Sequence, residues 1–153
     1  MKQRKPVLIL GLGNPLMGDD GVGCRVAEML ASDPRLPAHA DVHDAGSDLL
    51  RWADEIAGSD KVILIDGALS EQPAGALTIY EDELPGVAAC SSHVHHLSPL
   101  HAIALLRSTQ PEIARVHFTL LTVAVSSAEV GMPLSPLIQN QLPEICDQVL
   151  LRL

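Results

Sequence analysis

Residues 11–23, GLGNPLMGDDGVG, constrain the fold of this chain more than any other stretch. They follow a short apolar run at residues 7–10 and precede apolar residues at helical spacing, a pattern that predicts a strand, a tight glycine-rich loop and a helix. Such a loop presents Asp19 and Asp20 where a parallel strand ends. One of these aspartates has a purely structural explanation as well, because Asp is a favoured N-cap at the start of a helix.

The length and composition predict one α/β domain over residues 1–153. Apolar residues make up 47% of the chain, but Trp, Tyr and Phe occur only once each. The core must therefore consist mainly of Leu, Ile, Val and Ala. A chain of this length buries enough surface for one substantial core.

The charge and the cysteines limit the class of partner and the compartment. A net charge of −9 opposes binding to nucleic acid or to an anionic membrane surface. The three cysteines are far apart and form no C-x-x-C pair, which argues against a disulfide framework and against a structural zinc site. No apolar run approaches the ~20 residues that span a bilayer. We expect a cytoplasmic monomer that binds neither nucleic acid nor membrane.

Apolar runs and helical periodicity alternate along the chain. Right-handed crossovers between such strands predict a doubly wound, mostly parallel sheet of about five strands, with helices on both faces. The predicted strands are residues 7–10, 40–43, 61–65, 75–80 and 116–125. The predicted helices are residues 22–31, a segment from 47 or 48 that Gly58 ends as a C′ residue, 97–106 and 135–150.

Three groups far apart in sequence are expected at one edge of this sheet. Asp20 follows the first strand, Asp66 ends the third, and His93, His95 and His96 follow the fourth. Two carboxylates and an imidazole form a mixed oxygen and nitrogen site for a divalent transition metal. Each group also has an ordinary explanation, since Asp-Gly commonly ends a strand in a turn and histidines are common in solvated loops.

Several familiar enzyme motifs lack essential residues. Leu16 stands where the dinucleotide-binding motif G-x-G-x-x-G requires its third glycine. The chain contains no G-x-S-x-G nucleophile turn and no H-E-x-x-H zinc helix. These absences argue against a dinucleotide-binding domain, a serine hydrolase of that type and a zincin.

The segment VLILGLGNPLMGDDGVGCRVAEML resembles the N-terminal signature of the hydrogenase maturation protease family. These endopeptidases trim the C-terminal tail from the large subunit of nickel–iron hydrogenases. The similarity continues through Asp44-Ala45-Gly46, ILIDGA at residues 63–68, the serine-containing loop that ends in His95, and GMPLSP at residues 131–136. Relatives often carry two glycines where this chain has Ala45-Gly46.

The resemblance implies a set of metal-binding and catalytic residues. It assigns the family's acidic residue in the first loop to Asp20, its strand-end aspartate to Asp66 and its histidine to His95, with His93 as the second choice. It also implies that the divalent metal is nickel, that the hydrogenase large-subunit precursor supplies it, and that no organic cofactor is needed.

Two other functions remain open from the sequence alone. Peptidyl-tRNA hydrolase also has a G-L-G-N-P loop after its first strand, but Asp19-Asp20-Gly21 has no counterpart there and a charge of −9 is poorly suited to tRNA. A nickel-binding module would use the same three residues without cutting a peptide bond.

Overall fold

The computed structural model describes residues 6–81, 83–86 and 97–153. In this part of the chain, five strands form one sheet in the order β2-β1-β3-β5-β4, in which β4 is antiparallel to β5 and the other pairs are parallel. The strands are β1 (Val7–Leu12), β2 (Ala40–Gly46), β3 (Lys61–Leu69), β4 (Leu77–Glu81) and β5 (His117–Val125). The helices are α1 (Val22–Ala31), α2 (Ala53–Ala57), α3 (Pro99–Thr109) and α4 (Pro136–Leu150), with 3-10 turns at Gly18–Gly21, Leu49–Trp52 and Pro111–Arg115.

Buried aliphatic side chains cover both faces of the sheet. On one face, Val26 of α1 and Ile145 of α4 pack in the same cluster as Ile63. On the other face, Ile103 of α3 and Ile56 of α2 belong to a second cluster with Leu64. Adjacent residues of β3 thus point into different layers, as strand geometry requires. The predicted doubly wound α/β fold is confirmed.

Strand β3 is longer than its apolar run predicts. It continues four residues beyond Ile65, because pairing with β5 extends through Asp66↔Thr122 to Leu69↔Val125. The prediction that β3 ends at Ile65, and the alternative that Asp66-Gly67 forms a turn, are both wrong. Asp66 instead lies within a paired strand, whose backbone hydrogen bonds fix its position. Strands β1 and β2 likewise extend beyond the predicted ends, to Leu12 and Gly46.

Several other predicted boundaries also differ from the structure. Helix α3 starts at Pro99 rather than at residue 97, because Ser98 is its N-cap and accepts a hydrogen bond from the His101 N–H. Strand β4 begins at Leu77, since Gly75 has a φ of +89° that a strand does not accommodate. Gly58 follows α2 but has a φ of −82°, so it is not the left-handed C′ residue that we predicted.

The start of α1 excludes a capping role for the aspartate pair. Gly21 is the N-cap of α1, and no side chain caps it. Asp19 and Asp20 instead belong to the 3-10 turn that precedes the helix. The predicted bounds of α1 are confirmed.

No helix in the described ranges has the length and apolarity needed to cross a membrane.

Candidate active site

The loop after β1 folds back on itself and fixes Asp20. The Asn14 N–H donates a hydrogen bond to Oδ2 of Asp20 at 2.8 Å. Gly13 has a φ of +129°, and a Cβ atom there would lie 1.9 Å from the carbonyl oxygen of Asp20. Only glycine fits such a backbone conformation and such a close approach. The glycine-rich pattern therefore serves to bring the Asp20 segment against the end of β1.

Asp19 has a different environment from that of its neighbour. Its side chain is 6% exposed, and Oδ1 accepts a hydrogen bond from the Ser135 N–H at 2.6 Å. The same two loops are joined where the Gly18 N–H donates to the Met132 carbonyl at 2.9 Å. Asp19 therefore connects the loop after β1 to the segment before α4. This contact gives Asp19 a structural explanation, whereas Asp20 is the candidate ligand that the sequence predicts.

Asp66 lies in the carboxyl half of the central strand β3 and close enough to Asp20 for the two carboxyl groups to interact. Burial and the negative charge of Asp20 raise the pKa of the Asp66 carboxyl to about 7, although the hydrogen bond with the Gly67 backbone acts in the opposite direction. Both causes make a negative charge on Asp66 unfavourable. A cation between the two carboxylates would relieve this repulsion.

Asp20 and Asp66 line one small cavity at the carboxyl edge of the sheet. Its volume is about 60 Å³. We call it the carboxylate cavity, and its walls are Leu12, Gly13, Asp20, Ser47, Leu49, Asp66, Gly67, Leu97, Ser98 and Pro99. The structure thus brings together the two carboxylates that the strand order predicts at one edge.

The candidates for the predicted histidine ligand, His93, His95 and His96, lie outside the described residues. Within the described ranges, no group of three or more His, Cys, Asp or Glu side chains is arranged to hold a metal ion. Leu97, two positions after His95 in the sequence, lines the carboxylate cavity.

Cys24 lies next to this site but is not a thiolate nucleophile. It is 4% exposed, and its Sγ donates a hydrogen bond to the Gly13 carbonyl at 3.3 Å. Burial raises the pKa of the Cys24 thiol, and interactions with Asp44, Asp20 and Asp66 raise it further. The thiol therefore stays protonated at neutral pH. Cys24 and Cys146 are both free, and Cys90 lies outside the described residues.

Two residues near the site were not singled out from the sequence. Thr122 pairs with Asp66 in the sheet, and Ser98 lines the carboxylate cavity at the start of α3. Thr122 interrupts the apolar run of β5. A polar residue at such a position is a weak indication that this part of the strand's face is not packed in the core. Ser98-Pro99 is a common pair at a helix start, so it gives no separate indication of function.

Comparison with known proteins decides the family. A model of the hydrogenase maturation protease family matches residues 24–152, which is most of the chain. The chain belongs to the hydrogenase maturation protease family. It is therefore a peptidase, and this assignment favours that interpretation over peptidyl-tRNA hydrolase. The matched residues begin after the glycine-rich loop, so the family match does not depend on that loop.

Individual family members support the assignment over nearly the full length. The Hydrogenase 2 maturation protease of Escherichia coli K12 is 26% identical over 94% of this chain and 88% of its own length. The solved structure of the hydrogenase maturating endopeptidase HybD from E. coli has a TM-score of 0.77 and 28% identity, covering 94% of this chain and 88% of that one. The [NiFe] hydrogenase maturation protease HycI from Thermococcus kodakarensis shares the fold, with a TM-score of 0.75 at 19% identity over 97% and 92% of the two chains.

Proposed function

We propose that this protease removes the C-terminal extension of a nickel-loaded large-subunit precursor of a [NiFe] hydrogenase. The family match supports the reaction class. The observation that carries the assignment of the site is the carboxylate cavity, which Asp20 and Asp66 line together. This cavity lies beyond the carboxyl ends of parallel strands, the position where α/β folds bind their ligands.

We further propose that Asp20, Asp66 and His95 bind the nickel ion that the precursor carries. The ion belongs to the substrate, so the protease needs no organic cofactor and no resident metal. Carboxylate oxygens and an imidazole nitrogen suit a divalent transition metal. The raised pKa of Asp66 supports the proposal, because it reflects a repulsion that a cation relieves. For His95 the support is the family resemblance and its sequence position before Leu97.

The same three residues are proposed to serve the cleavage reaction. A divalent ion next to the scissile bond polarises its carbonyl group or lowers the pKa of a water molecule. The hydrogen bond from Asn14 restricts the orientation of the Asp20 carboxylate. Asp20 or Asp66 then takes the proton from the attacking water as a general base. Cleavage that depends on the ion makes processing a check on metal insertion.

We also propose that the protease acts as a monomer in the cytoplasm. The two described cysteines are buried and unpaired, which is typical of a protein from a reducing compartment. The net charge of −9 supports a protein substrate over nucleic acid or an anionic membrane.

Mass spectrometry of the reaction products tests this function. The purified protease is mixed with the nickel-loaded precursor, and the intact masses of both products are measured over time. We expect one cut near the C-terminus, with product masses that add up to the precursor plus one water. A protein that binds nickel but leaves the precursor intact would be a nickel-binding module instead.

A further inference from the structure

A larger cavity lies beside the carboxylate cavity on the same face of the sheet. Its volume is about 550 Å³, within the range of pockets that bind ligands. Strands β3, β5 and β4 provide its base, and Pro99 and Leu100 of α3 provide one wall. We call this cavity the sheet groove.

The base of the sheet groove is formed by paired residues of three strands. Asp66 pairs with Thr122, which pairs with Thr78, so these side chains lie in one row across the sheet. The next row toward the carboxyl end of β3 contains Ala68 and its partner Ala124. Paired residues lie on the same face of a sheet, so both rows face the groove.

Among the described elements, α3 covers only part of this face, which accounts for the groove. Leu64 and its partner Leu120 belong to the buried cluster that contains Ile103 and Leu106 of α3. The next row toward the carboxyl end of β3 contains Asp66 and Thr122 in place of leucines, and the row after it contains Ala68 and Ala124. These side chains are shorter than leucine and leave an open space above the backbone.

The sheet groove adjoins the carboxylate cavity. Asp66, Ser98 and Pro99 line both cavities. A chain whose scissile bond lies beside Asp66 would therefore have its neighbouring residues next to the groove. A protease must hold the substrate next to the scissile bond, because correct positioning supplies much of the rate enhancement.

The lining also indicates which side chains fit. Among the described lining residues, the charged ones are Asp66 and Glu71, and both are acidic. An acidic substrate side chain would meet repulsion and the cost of burying an unpaired charge. Apart from the amide of Gln72, the other described lining side chains are small, hydroxylated or apolar.

We propose that the sheet groove binds the precursor segment next to the scissile bond, as an extended peptide whose side chains are small and carry no negative charge. This inference rests on the proposed function and specifies its substrate site. The threonines of the central row offer hydrogen bonds to the peptide backbone, and the alanine row accommodates small side chains. A bulky side chain at the alanine row would block this segment without touching Asp20.

Two variants that fill the groove test the proposal. Ala68→Leu and Ala76→Leu add bulk to lining residues that are only partly buried. The matched control is Ala31→Leu, at an exposed position of α1 on the opposite face of the sheet. With nickel-loaded precursor, we expect both groove variants to raise KM at least tenfold while the control stays within twofold. Thermal unfolding of all three proteins checks that they fold as the wild type does.

A second measurement separates this proposal from the proposed function. The protein is labelled with ¹³C in its alanine methyl groups and titrated with a synthetic peptide that spans the precursor's cleavage site. We expect shifts in the methyl signals of Ala68, Ala76 and Ala124, and none in that of Ala31. Glu in place of the residue next to the cut should weaken binding at least tenfold.

The outcomes distinguish the two failures. If the wild type cleaves the precursor but both groove variants keep its KM, or if the peptide leaves the groove methyl signals unchanged, the groove proposal is overturned. If the wild type does not cleave the precursor, the proposed function fails, and the peptide titration alone decides whether the groove binds this segment.

Discussion

Oδ2 of Asp20 accepts a hydrogen bond from the Asn14 N–H, six residues earlier in the chain, at 2.8 Å. The loop after β1 is thus closed by the carboxylate that lines the candidate site. Asp19, its immediate neighbour, makes its hydrogen bond to Ser135 instead. The two adjacent aspartates therefore make different contacts, and substitutions at each should have different consequences.

Asp20→Asn should abolish processing while changing the stability of the protein by about 1 kcal/mol or less. The substitution keeps the size of the side chain and an oxygen that can accept the Asn14 hydrogen bond, but it removes the charge that we propose binds nickel. Processing is measured with nickel-loaded precursor, and stability by thermal unfolding. An active Asp20→Asn variant would exclude Asp20 from the reaction.

Asp19→Ala should give the opposite result, with a lower stability and a substantial residual activity of the molecules that remain folded. It leaves the partly buried Ser135 N–H without its acceptor, which costs about 1 kcal/mol. Urea unfolding measures the loss of stability, and a processing assay well below the midpoint measures the activity. Full stability with no activity would show that the roles of Asp19 and Asp20 are exchanged.

The histidines require a set of three single substitutions. His95→Ala should abolish processing with an unchanged melting temperature, whereas His93→Ala and His96→Ala should leave processing intact. The comparison is informative because solvated loop histidines would all behave alike. Loss of activity in His93→Ala alone would assign the ligand to His93, and full activity in all three would exclude a histidine from the site.

The contribution of Asp66 to the stability of the metal-free protein should fall as the pH rises from about 4 to 7. The folded state holds the Asp66 proton more tightly than the unfolded state does, since the pKa rises from 3.8 to about 7 on folding. The stabilisation is complete below pH 4 and is lost as the pH passes the folded pKa. The Asp66→Asn variant has no carboxyl group to titrate at this position. A tenfold change in proton affinity is worth about 1.4 kcal/mol. The unfolding free energy of the variant minus that of the wild type should therefore increase by on the order of 2 to 4 kcal/mol between about pH 4 and 7.

Urea unfolding of both proteins with a chelator, at several pH values, measures this difference. A constant difference in unfolding free energy between the two proteins from pH 4 to 8 would contradict the buried, repelled state of Asp66. The Glu144→Gln variant, which changes an exposed carboxylate of α4, controls for the general effect of removing one negative charge.

The isolated protein should bind nickel or zinc only weakly. Two carboxylates and one imidazole leave coordination positions that solvent or substrate must fill. Isothermal titration calorimetry measures the affinity and stoichiometry, and Asp66→Asn should weaken the binding further. A tight site with four protein ligands, or one that depends on a cysteine, would contradict the proposed arrangement.

The sequence predicts the layers of the fold better than the environment of each site residue. Apolar runs such as residues 61–65 identify buried strands, and right-handed crossovers then bring Asp20 and Asp66 to one edge. The continuation of β3 through Asp66 is not visible in that pattern, because it depends on pairing with Thr122 of a distant strand. The separate roles of Asp19 and Asp20 are also set by tertiary contacts, since Ser135 is 116 residues from Asp19.

The sheet groove could not be predicted from the sequence for a similar reason. Small residues such as Ala68 and Ala124 carry no signal of a cavity when each is considered alone. Their effect arises only when the sheet register brings them into one row that lines a cavity between the described elements. The resemblance to the protease family, in contrast, is carried by local motifs, which explains why the sequence alone indicates the reaction class.

Dependence of cleavage on nickel in the precursor is the most direct test of the central claim. The same precursor is prepared with nickel and without it, each is mixed with the wild-type protease, and the intact masses are followed by mass spectrometry. We predict a single C-terminal cut in the nickel-loaded precursor and no cut in the nickel-free one. Equal cleavage of both forms would contradict the proposal that Asp20, Asp66 and His95 recognise the ion.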